Sequence, residues 1–176
     1  MSAKHYFASD LHLGHEGVAK HRGFSTVEEH DELIIENWNL IINKHDTVIV
    51  PGDLVMHRRC IPLIGELKGR KIVVGGNHDY RQHTKDMFKY VNDYVGAYEY
   101  KGYIVTHIPI HPMCISRYKG NIHGHLHSKL VTRDHRLLDQ HVKDHKYFNV
   151  SLEQIDYKPI AFTALDERFN ERLHGS

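Results

Sequence analysis

The chain has 176 residues, 40% of them apolar, which is the size of one ordinary domain with a sizeable core. Lys and Arg number 23 against 22 Asp and Glu, and this balance argues against a disordered tail and against nucleic-acid binding through bulk positive charge. Two cysteines are too few for a disulfide framework or a zinc–thiolate site. A secretory signal and an apolar run of about 20 residues are both missing, so we expect a cytoplasmic protein with no membrane partner.

Strands and helices are predicted to alternate in the first part of the chain. The short runs His5–Ser9, Thr47–Val50 and Lys71–Val74 are rich in Val, Ile and Tyr, which is typical of strands buried on both faces. Between the first two runs, Thr26 can cap a helix and Glu29 completes a capping box. Apolar residues then recur at helical spacing, which indicates one buried helix face.

The remainder of the chain is predicted to add hairpins and shorter helices. The predicted elements are a helical stretch closing at Gly65–Gly69, a helix over Arg81–Tyr90, a hairpin of Val95–Tyr100 with Tyr103–Thr106, an exposed hairpin or loop over Lys129–Lys146, a strand at Lys146–Ser151 and a closing helix at Thr163–Leu173. No linker or repeat interrupts this order. It predicts a single domain over residues 1–176 with α/β layers and a mixed sheet.

Polar residues follow the buried strands. Asp10, Asp53, Asn77 and His107 each stand just beyond a predicted strand. Ligands of open α/β sheets gather at the carboxyl ends of the strands, so one rim of the sheet is expected to collect all four residues.

Histidine is unusually frequent, with 18 residues in the chain, so a single histidine indicates little. Position is more informative. Asp10 with His12, and His125 with His127, have the i, i+2 spacing that places two side chains on the same side of an extended segment, and each pair could bind one cation. Asp53 lies between the other groups along the chain, and its two oxygens could bridge two cations. Nitrogen and oxygen ligands without thiolate favour Mn, Fe, Zn, Ni or Co.

Each of these patterns also has a simpler interpretation. A strand-end aspartate such as Asp10 or Asp53 can cap a turn, and Gly76-Asn77 suits a turn equally well. His125 and His127 could alternate on a polar strand face. The metal-site interpretation depends on all the blocks occurring together.

Taken in order, the blocks resemble those of the calcineurin-like metallophosphoesterases, in particular the small prokaryotic and phage-type members. The resemblance covers Asp10 to about Ser151 and is carried by Asp10-Leu11-His12, Gly52-Asp53, Gly76-Asn77-His78-Asp79, His107 and Gly124-His125-Leu126-His127. It implies a four-layer α-β-β-α sandwich, in which two mixed sheets are flanked by helices. The fourth block departs from the Gly-His often found in the family, since Thr106 precedes His107, and His111 is the alternative ligand there.

The resemblance also implies a site with two divalent metal ions. The first ion would be held by Asp10, His12, Asp53 and His127, and the second by Asp53, Asn77, His107 and His125. Manganese is expected, with Fe, Zn, Ni or Co as alternatives. His78 and Asp53 are implied as catalytic residues, with His78 helping to protonate the leaving oxygen while a metal-bridging hydroxide attacks phosphorus. The residues expected to contact substrate are Asn77, His78, His15 and Arg22.

The predicted activity is metal-dependent hydrolysis of a small phosphate ester, either a phosphomonoester such as a nucleotide or a phosphodiester. Two divalent ions with two aspartates keep a net positive charge that suits phosphate. Balanced overall charge favours a small substrate over nucleic acid as the partner. The alternatives are a non-catalytic, metal-dependent scaffold or protein-binding module of the same fold, a nuclease acting on nucleic-acid ends, and a nucleic-acid-binding protein with incidental metal. The sequence leaves the oligomeric state open.

Overall fold

The computed structural model describes residues 3–79, 84–135 and 140–174, and two mixed β-sheets form its centre. The first sheet contains β1 (His5–Phe7), β2 (Thr47–Val50), β3 (Arg70–Val74), β4 (Asp93–Val95) and β11 (Ile160–Ala161). Their order is β11-β1-β2-β3-β4, with β1 to β4 parallel and β11 antiparallel. The three predicted strands of the first part of the chain are therefore confirmed.

The second sheet contains β5 (Tyr98–Tyr100), β6 (Tyr103–Thr106), β7 (Gly120–His123) and β10 (Tyr147–Asn149) in the order β10-β7-β6-β5. Only β5 is antiparallel to its neighbour, and it forms the predicted hairpin with β6. The predicted strand Val95–Tyr100 is divided at Gly96, because Val95 ends β4 in the other sheet. Strand β7 was not predicted, since Ile122 is its only large apolar residue.

A separate two-stranded sheet lies between β7 and β10 in the chain. It pairs β8 (Thr132–His135) with β9 (Gln140–Lys143) in antiparallel fashion, which agrees with the hairpin predicted within Lys129–Lys146.

The α-helices are α1 (Glu16–His21), α2 (Val27–Ile41), α3 (Thr84–Met87) and α4 (Phe162–His174). The hydroxyl of Thr26 accepts from the Glu29 N–H as predicted, and the Glu29 carboxylate accepts from the Ser25 N–H, one residue before the cap. Helix α1 was not predicted. The stretch before Gly69 is a 3₁₀-helix over Arg58–Glu66, and part of the predicted helix Arg81–Tyr90 lies outside the described residues. Among the described helices, none is both long and apolar enough to cross a bilayer.

Two apolar clusters show how the helices and the two sheets pack against each other. Side chains alternate between the faces of a strand, so Val48 of β2 packs with Trp38 of α2 on one face, while Ile49 points to the other face. There Ile49 shares a cluster with Tyr103 and other residues of the second sheet, and Phe162 of α4 belongs to the same cluster. The fold is therefore mixed α/β, with two mixed sheets facing each other and helices flanking them, as predicted.

The two sheets are joined near the ends of their strands. Ser9, just beyond β1, forms an isolated parallel bridge with Ser151, just beyond β10, and its N–H donates to the Val150 carbonyl at 2.9 Å. Close by, the Gly124 N–H donates to the His107 carbonyl at 2.9 Å. The loops that follow β1, β2, β3, β6 and β7 therefore meet at one edge of the molecule.

Candidate metal centre

Three residues from two distant loops form what we call the first ligand group: Asp10, His12 and His127. Their ligand atoms lie within 4.8 Å of one another. Asp10 is fully buried and His12 is 2% exposed. Neither ring nitrogen of His12 has a hydrogen-bond partner in the described part of the chain. A buried polar atom without a partner is costly, so the ring of His12 fits a site in which a cation takes its lone pair.

The second ligand group is Asp53, His107 and His125, again within 4.8 Å. The Nδ1 atom of His107 is 2.8 Å from the Pro51 carbonyl, which can only accept, so Nδ1 carries the proton and Nε2 has a free lone pair. That Nε2 faces Asn77 Oδ1 at 2.8 Å, His125 Nδ1 at 3.2 Å and Asp53 Oδ2 at 3.4 Å. Several electron pairs converge here, and a cation between them would relieve their repulsion.

Asp53 lies between the two groups. Its Oδ2 atom is 3.7 Å from His12 Nε2 and 3.4 Å from His107 Nε2, while its Oδ1 accepts from the His78 N–H at 3.0 Å. Burial raises the pKa of this carboxyl, and the neighbouring His107 opposes that rise. One carboxylate oxygen thus faces both ligand groups, which is the placement that a bridging ligand needs.

Asp10 is held by donors that the sequence analysis missed. Its Oδ2 lies 2.7 Å from the Ser9 hydroxyl, 2.8 Å from the Ser151 hydroxyl and 2.9 Å from the His125 N–H. Its Oδ1 lies 3.9 Å from His12 Nε2. The His125 N–H also lies 3.1 Å from Oδ1, so the donors concentrate on Oδ2 while Oδ1 faces the first ligand group.

Asp79 is a further residue whose role was not recognised in the sequence. Its Oδ2 accepts from the N–H groups of Asp53 at 2.7 Å and Gly76 at 2.9 Å, and its Oδ1 accepts from the Leu54 N–H at 3.1 Å. Burial raises the pKa of the Asp79 carboxyl, while these backbone hydrogen bonds lower it. Asp79 thereby ties the loop after β2 to the loop after β3.

The backbone at five predicted ligands is left-handed. Asp10, His12, Asp53, His125 and His127 have φ values between 51° and 67°. The expectation of extended segments is therefore wrong. Asp10 and His12 nevertheless belong to one ligand group, as their spacing predicted, whereas His125 and His127 belong to different groups, as the family resemblance implied. A left-handed conformation costs an L-residue roughly 1–2 kcal/mol, so the loops hold their ligands in a strained form.

Gly124 allows these loops to approach each other. A Cβ atom at this position would collide with the Ser9 hydroxyl and Asp10 Oδ2, and would lie 2.9 Å from the Pro51 carbonyl oxygen. A side chain at Gly124 would therefore displace a ligand of the first group.

Two histidines lie at the rim of the site. His78 is exposed, and its ring centroid is 5.4 Å from that of His12. His15 is half-buried, 5.6 Å from His12, and its Nδ1 accepts from the Val18 N–H at the start of α1. The alternative ligand His111 is exposed, caps a 3₁₀ turn through Met113, and is in neither ligand group.

The structure contradicts the predicted contact between Arg22 and substrate. The Arg22 side chain is only 1% exposed. Its guanidinium donates to the carbonyl of Asp10 at 2.8 Å and to the carboxylate of Glu153 at 2.8 Å. These partners lie behind the first ligand group, so the guanidinium has no free face for a phosphate.

Glu153 is also part of this arrangement and was not recognised in the sequence. Its Oε1 atom is 2.8 Å from His127 Nδ1. Burial alone would raise the pKa of Glu153, but hydrogen bonds from His127 and Arg22 lower it to about 2. The same hydrogen bond raises the pKa of His127.

Taken together, the candidate ligand atoms of the two groups suit divalent cations. Burial lowers the pKa of His12 to about 2 and also lowers that of His125, which keeps both imidazoles neutral and able to donate a lone pair. Two aspartates supply negative charge, Asn77 supplies a neutral oxygen, and neither ligand group contains a thiolate. Nitrogen and oxygen donors of this kind suit Mn, Fe, Zn, Ni or Co.

Comparison with known proteins gives a consistent result. The profile of the calcineurin-like phosphoesterase family matches residues 4–171. An uncharacterized protein of Methanocaldococcus jannaschii is 31% identical over 166 residues, covering 90% of this chain and 86% of that protein. The gene 66 protein of Mycobacterium phage L5 is 32% identical over 102 residues, covering 54% of this chain and 49% of the phage protein.

Two solved structures share the fold. A protein of unknown function from Aquifex aeolicus superposes with a TM-score of 0.69 at 22% identity, covering 94% of this chain and 99% of that one. Nuclease MPE of Pseudomonas putida gives a TM-score of 0.52 at 15% identity, covering 70% of this chain and 61% of the nuclease. At these identities the likeness concerns the fold alone.

Proposed function

Because the chain belongs to the calcineurin-like phosphoesterase family, we propose that it hydrolyses a small phosphate ester with the aid of two divalent cations. The observation that carries this proposal is the position of Asp53. Its Oδ2 lies 3.7 Å from a nitrogen of the first ligand group and 3.4 Å from a nitrogen of the second, so one carboxylate can serve both cations.

The ligands divide between the two cations as follows. Asp10, His12 and His127 would hold the first cation, and His107, His125 and Asn77 would hold the second, with Asp53 available to both. When bound, two divalent cations activate water and stabilise the charge that develops on a phosphoryl group. With two divalent cations bound, Asp10 and Asp53 would neutralise only two of the four positive charges, so the site would attract an anionic phosphate.

His78 is the residue we assign to proton transfer. It is exposed beside the buried ligands, and its backbone N–H donates to Asp53 Oδ1 at 3.0 Å, which places the residue at the mouth of the site. A histidine there can hold a phosphate oxygen and give a proton to the leaving oxygen. Asn77 and His15 lie on the same rim and are the further candidates for substrate contact.

We propose manganese as the first metal to test and a small phosphomonoester or phosphodiester as the substrate. The near-zero net charge of the chain supports a small substrate over a long nucleic acid, which would need several phosphate contacts. A nuclease acting on nucleic-acid ends remains the second candidate.

The test is a substrate panel on protein that has first been stripped with a chelator. Release of nitrophenol from mono- and bis-nitrophenyl phosphate is measured with each of Mn²⁺, Fe²⁺, Zn²⁺, Ni²⁺ and Co²⁺. We expect turnover that depends on added metal, and we expect Asp53→Asn to lose more than about 10³-fold in rate together with bound metal. Metal binding without turnover on either ester would favour the non-catalytic scaffold instead.

A further inference from the structure

A largely buried network of charged side chains lies behind the first ligand group, with the Arg22 side chain 1% and the Glu153 side chain 16% exposed. The Oε1 atom of Glu153 is 2.8 Å from both Arg22 Nε and His127 Nδ1. Arg22 also donates to the carbonyl oxygens of Asp10 at 2.8 Å and Leu11 at 3.3 Å. The Arg22 guanidinium therefore contacts the backbone of the ligand Asp10. It also contacts the side chain of Glu153, which in turn contacts the ligand His127.

The network continues into helix α2. Arg22 Nη1 is 2.9 Å from His30 Nε2, and because a guanidinium only donates, this nitrogen accepts. His30 Nδ1 then donates to Asp31 Oδ1 at 2.8 Å, and Asp31 Oδ2 accepts from the Gly14 N–H at 2.8 Å. His30 is fully buried and Asp31 is 7% exposed. The anchor of Arg22 is thus part of the core.

The contact with Glu153 determines which nitrogen of His127 is protonated. A carboxylate paired with a guanidinium only accepts hydrogen bonds, so His127 Nδ1 carries the proton. The free lone pair is then on Nε2. An imidazole binds a cation through such a lone pair, and a carboxylate on the other nitrogen fixes both the tautomer and the orientation of the ring.

Among the described residues, no carboxylate contacts His107 or His125 of the second ligand group in the way that Glu153 contacts His127. His107 Nδ1 is held by the backbone carbonyl of Pro51, at 2.8 Å, and a side-chain substitution cannot remove that acceptor. Loss of the Glu153 carboxylate should therefore disturb the first ligand group and spare the second.

We propose that Glu153, held in place by Arg22, is a positioning residue for the first cation through the tautomer and orientation of His127. This inference rests on the proposed function for the identity of the cation site, although the tautomer itself is a property of the metal-free protein. Glu153 does not touch the substrate in this assignment.

The first experiment reads the tautomer directly. Ring ¹⁵N shifts of His127 are measured by NMR in metal-free wild type, Glu153→Gln and Glu153→Ala, with His127→Asn used to assign the signal. We expect Nδ1–H in wild type, Nδ1–H retained in Glu153→Gln because its amide oxygen can still accept, and a mixture of tautomers in Glu153→Ala. The same tautomer in Glu153→Ala as in wild type would overturn the proposal.

The second experiment titrates Mn²⁺ by calorimetry into the same proteins. Wild type should bind two ions, and Glu153→Ala should bind one of them about 10- to 100-fold more weakly with the other unchanged. Glu153→Gln should recover part of that loss. Asp166→Asn is the matched control, because Asp166 also accepts at 2.8 Å, from the Tyr103 hydroxyl away from the ligand groups, and it should bind both ions like wild type.

The outcomes separate the two proposals. Wild type that binds no ion contradicts the proposed function, and the NMR result still tests the role of Glu153. If wild type binds two ions and Glu153→Ala has the same affinity for both, the positioning role is contradicted. The same holds if Glu153→Ala loses affinity equally at both sites. Melting curves identify any variant that is unfolded. If Glu153→Ala is unfolded, the Mn²⁺ titration of Glu153→Gln decides the question, because wild-type affinity at both sites would contradict the positioning role.

Discussion

The two ligand groups share one carboxylate but are supported in different ways. Behind the first group, the buried Arg22 side chain forms an ion pair with the half-buried Glu153, and both contact ligands. Behind the second group, His107 is held by the carbonyl of Pro51. Asn77, beside the second group, is exposed, whereas Asp10 of the first group is fully buried.

We infer from this difference that metal binding and the proposed reaction depend on different residues of the site. The first group depends on side chains from segments that are more than 100 residues apart, such as Arg22 and Glu153. In the second group, His107 is supported by a backbone carbonyl, and the exposed residues Asn77 and His78 contact His107 and Asp53. We therefore expect the substrate to approach over Asn77 and His78, with the buried side chains of Asp10 and His12 forming the floor of the site.

The largest expected effect concerns His78, at the open side. His78→Asn should lower the turnover number by about 10²–10⁴-fold, because a general acid is lost, while both metal ions remain bound. Steady-state kinetics and metal analysis of the purified variant measure the two quantities. His111→Asn is the matched control, since His111 is exposed and in neither ligand group, and it should keep the wild-type rate. A wild-type turnover number in His78→Asn would contradict the assignment of proton transfer to His78.

A smaller effect is expected at the packed side of the first group. Gly124→Ala should destabilise the protein by about 1–3 kcal/mol, because the new methyl group collides with Ser9 and Asp10. Gly96→Ala is the matched control, because a Cβ at Gly96 has no neighbour within 4 Å, and its effect should stay within about 0.5 kcal/mol. Urea denaturation of the metal-free variants measures both. Equal stability of the two variants would mean that the first group is not tightly packed.

The smallest expected effect is a dependence of stability on pH. Burial lowers the pKa of His12 from 6.5 to about 2, so the unfolded chain binds a proton near pH 6.5 that the folded chain does not. The contribution of His12 is therefore complete above pH 6.5 and is lost as the pH falls, by up to about 1.4 kcal/mol per pH unit. Denaturation of metal-free wild type and His12→Asn between pH 7.5 and pH 5 tests this. An identical pH slope in the two proteins would contradict the burial of a neutral His12.

Much of the fold could be predicted from local pattern. The strands before Asp10, Asp53 and Asn77 are short apolar runs with a clear end, and the carboxyl ends of parallel strands meet at one edge of a sheet. Strand β7 lacked this signal because Gly120-Asn121-Ile122-His123 is mostly polar. The buried Asn121 side chain donates to backbone carbonyls of β6 and β7, which the sequence did not reveal.

The supporting residues of the site could not be predicted in the same way. Glu153 lies 26 residues from His127 and 131 from Arg22, in a 3₁₀ turn without a motif, so only the folded chain brings the three together. Arg22 was expected to contact the substrate because a guanidinium matches the oxygen atoms of a phosphate. Its carboxylate partner, Glu153, could not be identified from the sequence. The assignment of individual ligands to one cation or the other stays a prediction.

The left-handed backbone of five ligands has a consequence for protein engineering. Glycine, and to a smaller degree asparagine, adopts that conformation at little cost, so replacing His12 or His127 by glycine would relax the loop while removing a lone pair. Directed evolution under heat alone would then accumulate inactive variants at these positions. Thermostable forms of this protein should be sought by selecting catalysis and heat resistance in the same round, since at these residues the two properties trade off against each other.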